Sequence, residues 1–267
     1  MLQNAIKENN VLCQAFKNNE FLLHYQPIVD AATHETMWVE ALMRWHSPKF
    51  GEVTPDKFIP IMEKEKLIIP IGTWVLEKAC RQLKKWHEIG YTNFGVSVNV
   101  SSVQLQHYDF AKVVQCTLFE NGVNPKNILL EITESSKLNA DTNVINTLKI
   151  LREMGVRISI DDFGTGYNCM KYLHEFECTS LKIDKFFVKN LENDRGKILI
   201  DSIISLGHRM GLKIIAEGIE TIKQCEQLKS MGCDMLQGYY FCKPASPERL
   251  LLFLENKQNE SHTNNIK

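Results

Sequence analysis

The stretch FLLHYQPIVDAATHETMWVEALMRW, residues 21–45, holds two apolar runs joined by the short connection DAATHE at 30–35. A parallel crossover needs a dozen or more residues, so the strands expected at 21–29 and 37–43 are antiparallel neighbours. Beyond residue 45 the pattern changes to short apolar runs alternating with longer segments whose apolar residues recur every three or four positions. Strands are expected at 94–100, 127–132, 157–161, 180–183, 213–217 and 234–239, and helices at 72–90, 104–121, 141–154, 167–176, 195–210, 220–231 and 247–255. Trp74, Leu76, Ala79, Cys80, Leu83 and Trp86 make one apolar helix face. Thr221 and Ser246 stand where helix caps belong. Strands alternating with helices imply a parallel sheet. Eight of them in about 220 residues imply a closed α/β barrel, a (β/α)8 TIM-like fold with the first strand antiparallel. The structural alternative is an open doubly wound sheet; no glycine-rich phosphate fingerprint follows an early strand, which disfavours it.

The 267 residues suit one such barrel. Residues 1–20 read as a lead-in helix, 21–255 as the barrel and the polar, aperiodic 256–267 as a frayed tail. Hydrophobic residues make up 44% and charged residues 24%, the balance of a soluble protein with a large core. A net charge of −1 gives no basic field, so no nucleic-acid polymer is expected as a partner. No apolar run approaches the ~18 residues of a membrane span. The N-terminus, MLQNAIKENN, has no signal-peptide core. A cytoplasmic location is the expectation, with a membrane-bound parent open if the chain is a fragment. The eight cysteines show no C-x-x-C pair, and several, Cys80 and Cys116 among them, lie in apolar patterns, as reduced buried thiols do. The eight histidines are scattered, and none joins the strand ends.

Seven apolar runs end in an acid, an amide or a lysine: Glu40, Asn99, Glu131, Asp161, Lys182, Glu217 and Gln237. In a (β/α)8 barrel the C-terminal strand ends form the active face, so these tips converge. Several have an ordinary explanation taken alone: a strand-end charge at Glu40, a helix cap at Asn99, Asp161 or Asp162, a snorkelling Lys182, a turn at Gln237. Arg44 suits a phosphate or a structural acid equally well. Together Glu40, Glu131, Asp161, Asp162 and Glu217 place five carboxylates in one cup, with Asn99 adding an amide oxygen. Unscreened, they would raise one another's pKa. All-oxygen donors favour Mg²⁺ or Mn²⁺ over zinc. Two divalent ions and Lys182 would neutralise the five acids and admit an anionic substrate. Neighbouring strand residues point to opposite faces, so Asp161 and Asp162 both reach the cup only if the strand ends between them, with Gly164 and Gly166 allowing the turn. Two ions about 4 Å apart can activate a water and stabilise a leaving oxygen. An enolase-type proton abstraction would use similar groups, so spacing alone stops at a barrel with a divalent-metal site.

The words of the sequence go further. It reads YQPIVD (25–30), EALMRW (40–45), SVNVS (97–101), EITES (131–135), DDFGTGY (161–167), LKID (181–184), AEGIE (216–220) and QGYYFCKP (237–244). Together these resemble the EAL-domain family of cyclic-di-GMP phosphodiesterases over about residues 12–255. The resemblance implies hydrolysis of cyclic di-GMP to linear pGpG in bacterial signalling, with two Mg²⁺ or Mn²⁺ ions per active site. It implies Glu40, Asn99, Glu131 and Asp161 as ligands of the first ion, and Asp161, Asp162 and Glu217 as ligands of the second. Lys182 would orient or polarise the attacking water. Gln26, Leu42, Arg44 and Gln237 would contact substrate along with Glu40, Asn99 and Lys182. Glu134 and Glu220 match positions that support the loop after Asp162 and the site's edge. Pairing through that loop and the next helix implies a homodimer. The complete acid, amide and lysine set favours an enzyme; the alternative is a weak or inactive module that binds cyclic di-GMP. The chain departs from the family at Asn168, Cys169 and Met170, and at Trp38 and Lys66, where the family usually has small residues or glycine.

Overall fold

The computed structural model describes residues 11–133, 142–164 and 169–264. Strand β1 (Phe21–Asp30) turns back and pairs antiparallel with β2 (Thr36–Ser47), so that Gln26 faces Glu40 and Ile28 faces Trp38. The short β3 (Gly51–Val53) adds to β2 outside the barrel. The remaining strands are β4 (Gly95–Val100), β5 (Ile128–Thr133), β6 (Arg157–Phe163), β7 (Ser180–Ile183), β8 (Lys213–Ala216) and β9 (Met235–Leu236). From β2 through β4 to β9 each strand runs parallel to the next, and β9 meets β1 antiparallel. Eight strands therefore close into a barrel whose first strand is reversed, and the open-sheet alternative falls away.

The barrel strands are largely apolar on both faces, as parallel strands sandwiched between helices and a filled interior must be, with buried Ser97, Ser159 and Ser180 as polar exceptions on the inner face. Outward residues such as Val96, Val98, Leu130, Ile158 and Ile160 share one core with helix residues Leu83, Leu118 and Leu148. Inside, Ile28, Trp38, Leu129, Ile215 and Met235 form a separate cluster. Each lies two residues from a strand-tip residue on the same face: Trp38 below Glu40, Leu129 below Glu131, Ile215 below Glu217, Met235 below Gln237, and Ile28 below Gln26 on the reversed strand. Trp38 fits because Gly95 opposes it, where a Cβ would lie 2.3 Å from the indole. The Arg157 guanidinium sits 5.3 Å over the same ring. The cup thus rests on a packed floor.

The helix Pro55–Lys64 is absent from the sequence reading because its two prolines resemble breaks. Pro55 occupies the first turn, where its missing N–H costs nothing. Phe58, Ile61 and Met62 of this helix pack with Leu12 of the helix Val11–Lys17, Trp45 and Val53 in a second core. The helix expected from 72 begins earlier, as Ile68–Glu88. The one expected at 104–121 divides into Ser102–Leu105, closed by a Ser101–Gln104 capping box, and Phe110–Asn121. Thr221 caps Ile222–Ser230 as expected. The last helix, Pro247–Asn264, runs well past 255. Glu, Lys and Gln favour helix without needing an apolar face, so periodicity cannot mark its end. The seven cysteines with described side chains are unpaired; Cys80 is buried, whereas Cys116 is exposed.

Lys66, between the two helices beside the barrel mouth, has φ +57°. Left-handed backbone is unfavourable for a side chain bearing Cβ. Lys66→Gly should raise stability by about 1 kcal/mol. Urea unfolding measures it; an unchanged or lower midpoint would contradict the strain.

Candidate active site

Lys182 is fully buried near the centre of the barrel and holds the cup together. Its ammonium nitrogen lies 2.5 Å from Glu217 Oε1, 2.8 Å from Glu131 Oε2, 3.4 Å from Asp161 Oδ1 and 3.7 Å from Glu40 Oε2. Four acids, from β2, β5, β6 and the residue after β8, thus share one cation. Beside it, Asn99 donates to Glu40 Oε1 at 2.7 Å and Gln237 to Glu40 Oε2 at 2.6 Å. Gln237 also donates to Gln26 Oε1 at 3.2 Å, and Gln26 to the carbonyl of Cys242 at 2.9 Å. The hairpin's register, Gln26 opposite Glu40, is what brings the reversed strand into this network.

Asp161 and Asp162 reach the cup by a route the sequence reading did not anticipate. Strand β6 does not end between them; it continues to Phe163. Its pairing with β7 instead breaks register between Ile160 and Phe163, and Asp162 adopts φ +54°. A bulge with a left-handed residue turns the second side chain toward the same side. The Asp162 N–H donates to Asp161 Oδ1 at 2.9 Å, fixing the pair. Carboxylate oxygens of Asp161, Asp162 and Glu217 all lie within 4.8 Å of one another. Gly164, at φ +94°, continues the turn with its α-carbon against the Phe187 ring; Gly166 and Glu134 lie outside the described residues.

The acids are not equivalent. Burial pushes the Glu131 carboxyl well above its ordinary range, and the charges of Glu40 and Asp161 add to this against Lys182. Burial also raises Asp161. Asp162 is pushed up to about 6 by burial and by the Asp161 and Asp184 charges. Glu217 is pushed up to about 8, again chiefly by burial. Burial opposes ionisation of Glu40 too, but Lys182 and the hydrogen bonds from Gln237 and Asn99 outweigh it and hold the group low. Burial disfavours the Lys182 charge, yet Asp161, Glu131, Glu217 and Glu40 together keep it protonated far into the alkaline range.

Two cavities open beside the cup. One, of about 390 Å³, is lined by Gln26, Arg44, Glu217, Glu220, Gln237 and Tyr239 among others. The second, of about 590 Å³, extends over Asn99 and Asp162 to Pro60, Glu63 and Ser101. Both include Glu40, Leu42, Asp161 and Lys185. The structure thus gathers Gln26, Glu40, Leu42, Arg44, Asn99, Glu131, Asp161, Asp162, Lys182, Glu217 and Gln237 at one end of the barrel, with exposed Glu220 on the rim. The sequence reading missed Lys185, Tyr239 and the wall formed by Pro60, Glu63 and Ser101. The acid-to-hydroxyl contact Glu63–Ser101, with Ser101 donating at 2.6 Å, bridges two elements and leaves no local signal.

The EAL domain family matches residues 9–244. This chain belongs to that family. The EAL domain is 41% identical over 242 residues to the bifunctional diguanylate cyclase/cyclic di-GMP phosphodiesterase MucR of Pseudomonas aeruginosa, covering 90% of this chain and 35% of that protein. It is 38% identical over 254 residues to the oxygen sensor protein DosP of Escherichia coli, covering 93% of this chain and 32% of the relative. The chain therefore spans about a third of the length of these relatives. The solved structure of the PaMucR phosphodiesterase in complex with c-di-GMP superposes with a TM-score of 0.86 at 38% identity, covering 94% of this chain and all of that one.

Acids with raised folded-state pKa values carry more protons than the unfolded chain, so folded-state stability falls as pH rises between the two values. For Glu217 that window runs from 4.5 to about 8. In chelator, wild type should lose stability relative to Glu217→Gln as pH goes from about 6 to 8. Thermal melts across that range test this; a difference independent of pH would contradict the assignment.

Proposed function

We propose that this EAL domain, residues 21–255 with their lead-in helix, hydrolyses one phosphodiester bond of cyclic di-GMP to give linear pGpG. The observation that carries the reading is the convergence of the whole acid, amide and lysine set on one cup at the junction of two cavities. Cavities of about 390 and 590 Å³ are of the size that encloses a drug-sized group, one for each half of a dinucleotide. The relative named a phosphodiesterase and solved with c-di-GMP supports this substrate.

The donor set fits divalent cations. Oε1 of Glu131, fully buried, has no hydrogen-bond partner among the described residues. Asp161, Asp162 and Glu217 offer three hard oxygens within 4.8 Å. We infer two Mg²⁺ or Mn²⁺ ions, one held by Glu40, Asn99, Glu131 and Asp161, the other by Asp161, Asp162 and Glu217. Such ions lower the pKa of a bound water and stabilise charge on phosphoryl oxygens. The remaining work falls to the chain. Phosphate-ester hydrolysis requires lowering the barrier by on the order of 20 kcal/mol. Gln237 and Asn99 fix the Glu40 carboxylate. Lys182 aims a buried positive charge at the place where a water would attack. Leu42 and Arg44 line the wall against which the substrate rests, and Arg44 suits bidentate contact with a phosphate. The packed floor of Trp38 and Leu129 closes the cup to water from below.

We also infer that the enzyme works as a homodimer formed through the loop after Asp162 and the helix that follows; a monomer by sedimentation at micromolar concentration would remove that part. No helix among the described residues is long and apolar enough to cross a membrane.

Purified protein with Mg²⁺ or Mn²⁺ should convert cyclic di-GMP to pGpG, and chelator should stop it. Glu40→Ala should lose turnover by a factor of about 100 or more. Ca²⁺, whose looser coordination suits a rigid pair of sites poorly, should support binding with little turnover. Tight binding with no product under either activating ion would select the non-enzymatic binding module instead.

A further inference from the structure

Lys185 is the cation at the point where both cavities meet, and the strand-tip pattern did not single it out. It follows the LKID stretch by one residue and begins the short helix Lys185–Lys189. Its side chain is exposed and lines both cavities together with Glu40, Leu42 and Asp161. Acids surround it, yet it makes no ion pair with any of them among the described residues, whereas Lys182 touches four. Gly218 lies beneath the Lys185 stem. That residue follows Glu217 at φ +72°, and a Cβ on it would stand 2.5 Å from Lys185 Cβ. The glycine lets the lysine stem pack directly against the Glu217 loop and holds its root at the mouth, above the cup. Arg44, by contrast, lines only the smaller cavity.

A cyclic dinucleotide has two phosphates. The one to be cut must lie over the carboxylates at the base of the cup. The other must lie nearer the mouth, where the two halves of the ring rejoin. We propose that Lys185 is a substrate-binding residue that holds this uncut phosphate. The assignment rests on the function proposed above and adds to it the residue that recognises the closed, doubly charged ring. A flexible ammonium suits this place because it acts as a point charge and needs no fixed bidentate geometry.

Steady-state kinetics on cyclic di-GMP with wild type, Lys185→Ala and Lys185→Arg test the proposal. Lys185→Ala should raise KM about tenfold with kcat within about twofold, the pattern of lost uniform binding, and Lys185→Arg should recover most of the loss. An unchanged KM in Lys185→Ala, or a fall in kcat alone, would overturn it. Should wild type show no turnover, the hydrolytic reading fails by itself. Calorimetric titration of cyclic di-GMP in Ca²⁺ then decides this one: about tenfold weaker binding by Lys185→Ala supports it, and equal binding overturns it. No binding by wild type would overturn both.

Discussion

A fully buried ammonium, that of Lys182, lies within 3.7 Å of carboxylate oxygens from Glu40, Glu131, Asp161 and Glu217. Nothing else in the barrel imposes so strict a condition. Burying one charge without compensation costs several kcal/mol, and burying four like charges together costs more. The chain meets the condition with one lysine and with partial protonation, visible in the raised Glu217 and Glu131 carboxyls. One cation cannot neutralise four acids. The cup is therefore held with a deficit of positive charge, and that deficit is what divalent ions would fill. Stability is given up at the place where the chemistry is to happen.

The rest of the fold serves this arrangement. Five of the eight barrel strands contribute one residue to an apolar floor and one, two positions away, to the cup, while β4, β6 and β7 place the buried Ser97, Ser159 and Ser180 below Asn99, Asp161 and Lys182. The antiparallel hairpin supplies Gln26 opposite Glu40, so the reversed strand adds an amide where a further acid would have deepened the repulsion. Gln237 ties the two ends of the barrel's closure together by bonding both Gln26 and Glu40. Against its burial, Lys182 and the hydrogen bonds from Gln237 and Asn99 hold the Glu40 carboxyl low, whereas burial raises its neighbours Glu131, Asp161 and Glu217.

Much of this was legible in the residues. The six-residue connection after β1 compelled an antiparallel pair, and the alternation beyond it compelled a barrel. The polar tips were visible because an acid ending an apolar run stands out against its surroundings. What stayed hidden depends on backbone detail or on contacts distant in sequence. The left-handed Asp162 within β6 left no mark beyond the doubled aspartate, and strand alternation suggested a strand end instead. Pro55 and Pro60 masked the helix that walls the larger cavity, because its formation rests on packing with Trp45 and Val53. Lys185 reads as an ordinary surface lysine until Gly218 is seen beneath it.

The central claim is that the cup takes up divalent metal charge beside its single lysine. Crystals soaked in Mn²⁺ and measured near the manganese absorption edge address it directly. The account predicts anomalous peaks among the oxygens of Asp161, Asp162 and Glu217 and beside Glu131, with the Lys182 ammonium withdrawn from at least one of its four carboxylates. Density without anomalous signal at these acids, with Lys182 still bonded as before, would contradict it.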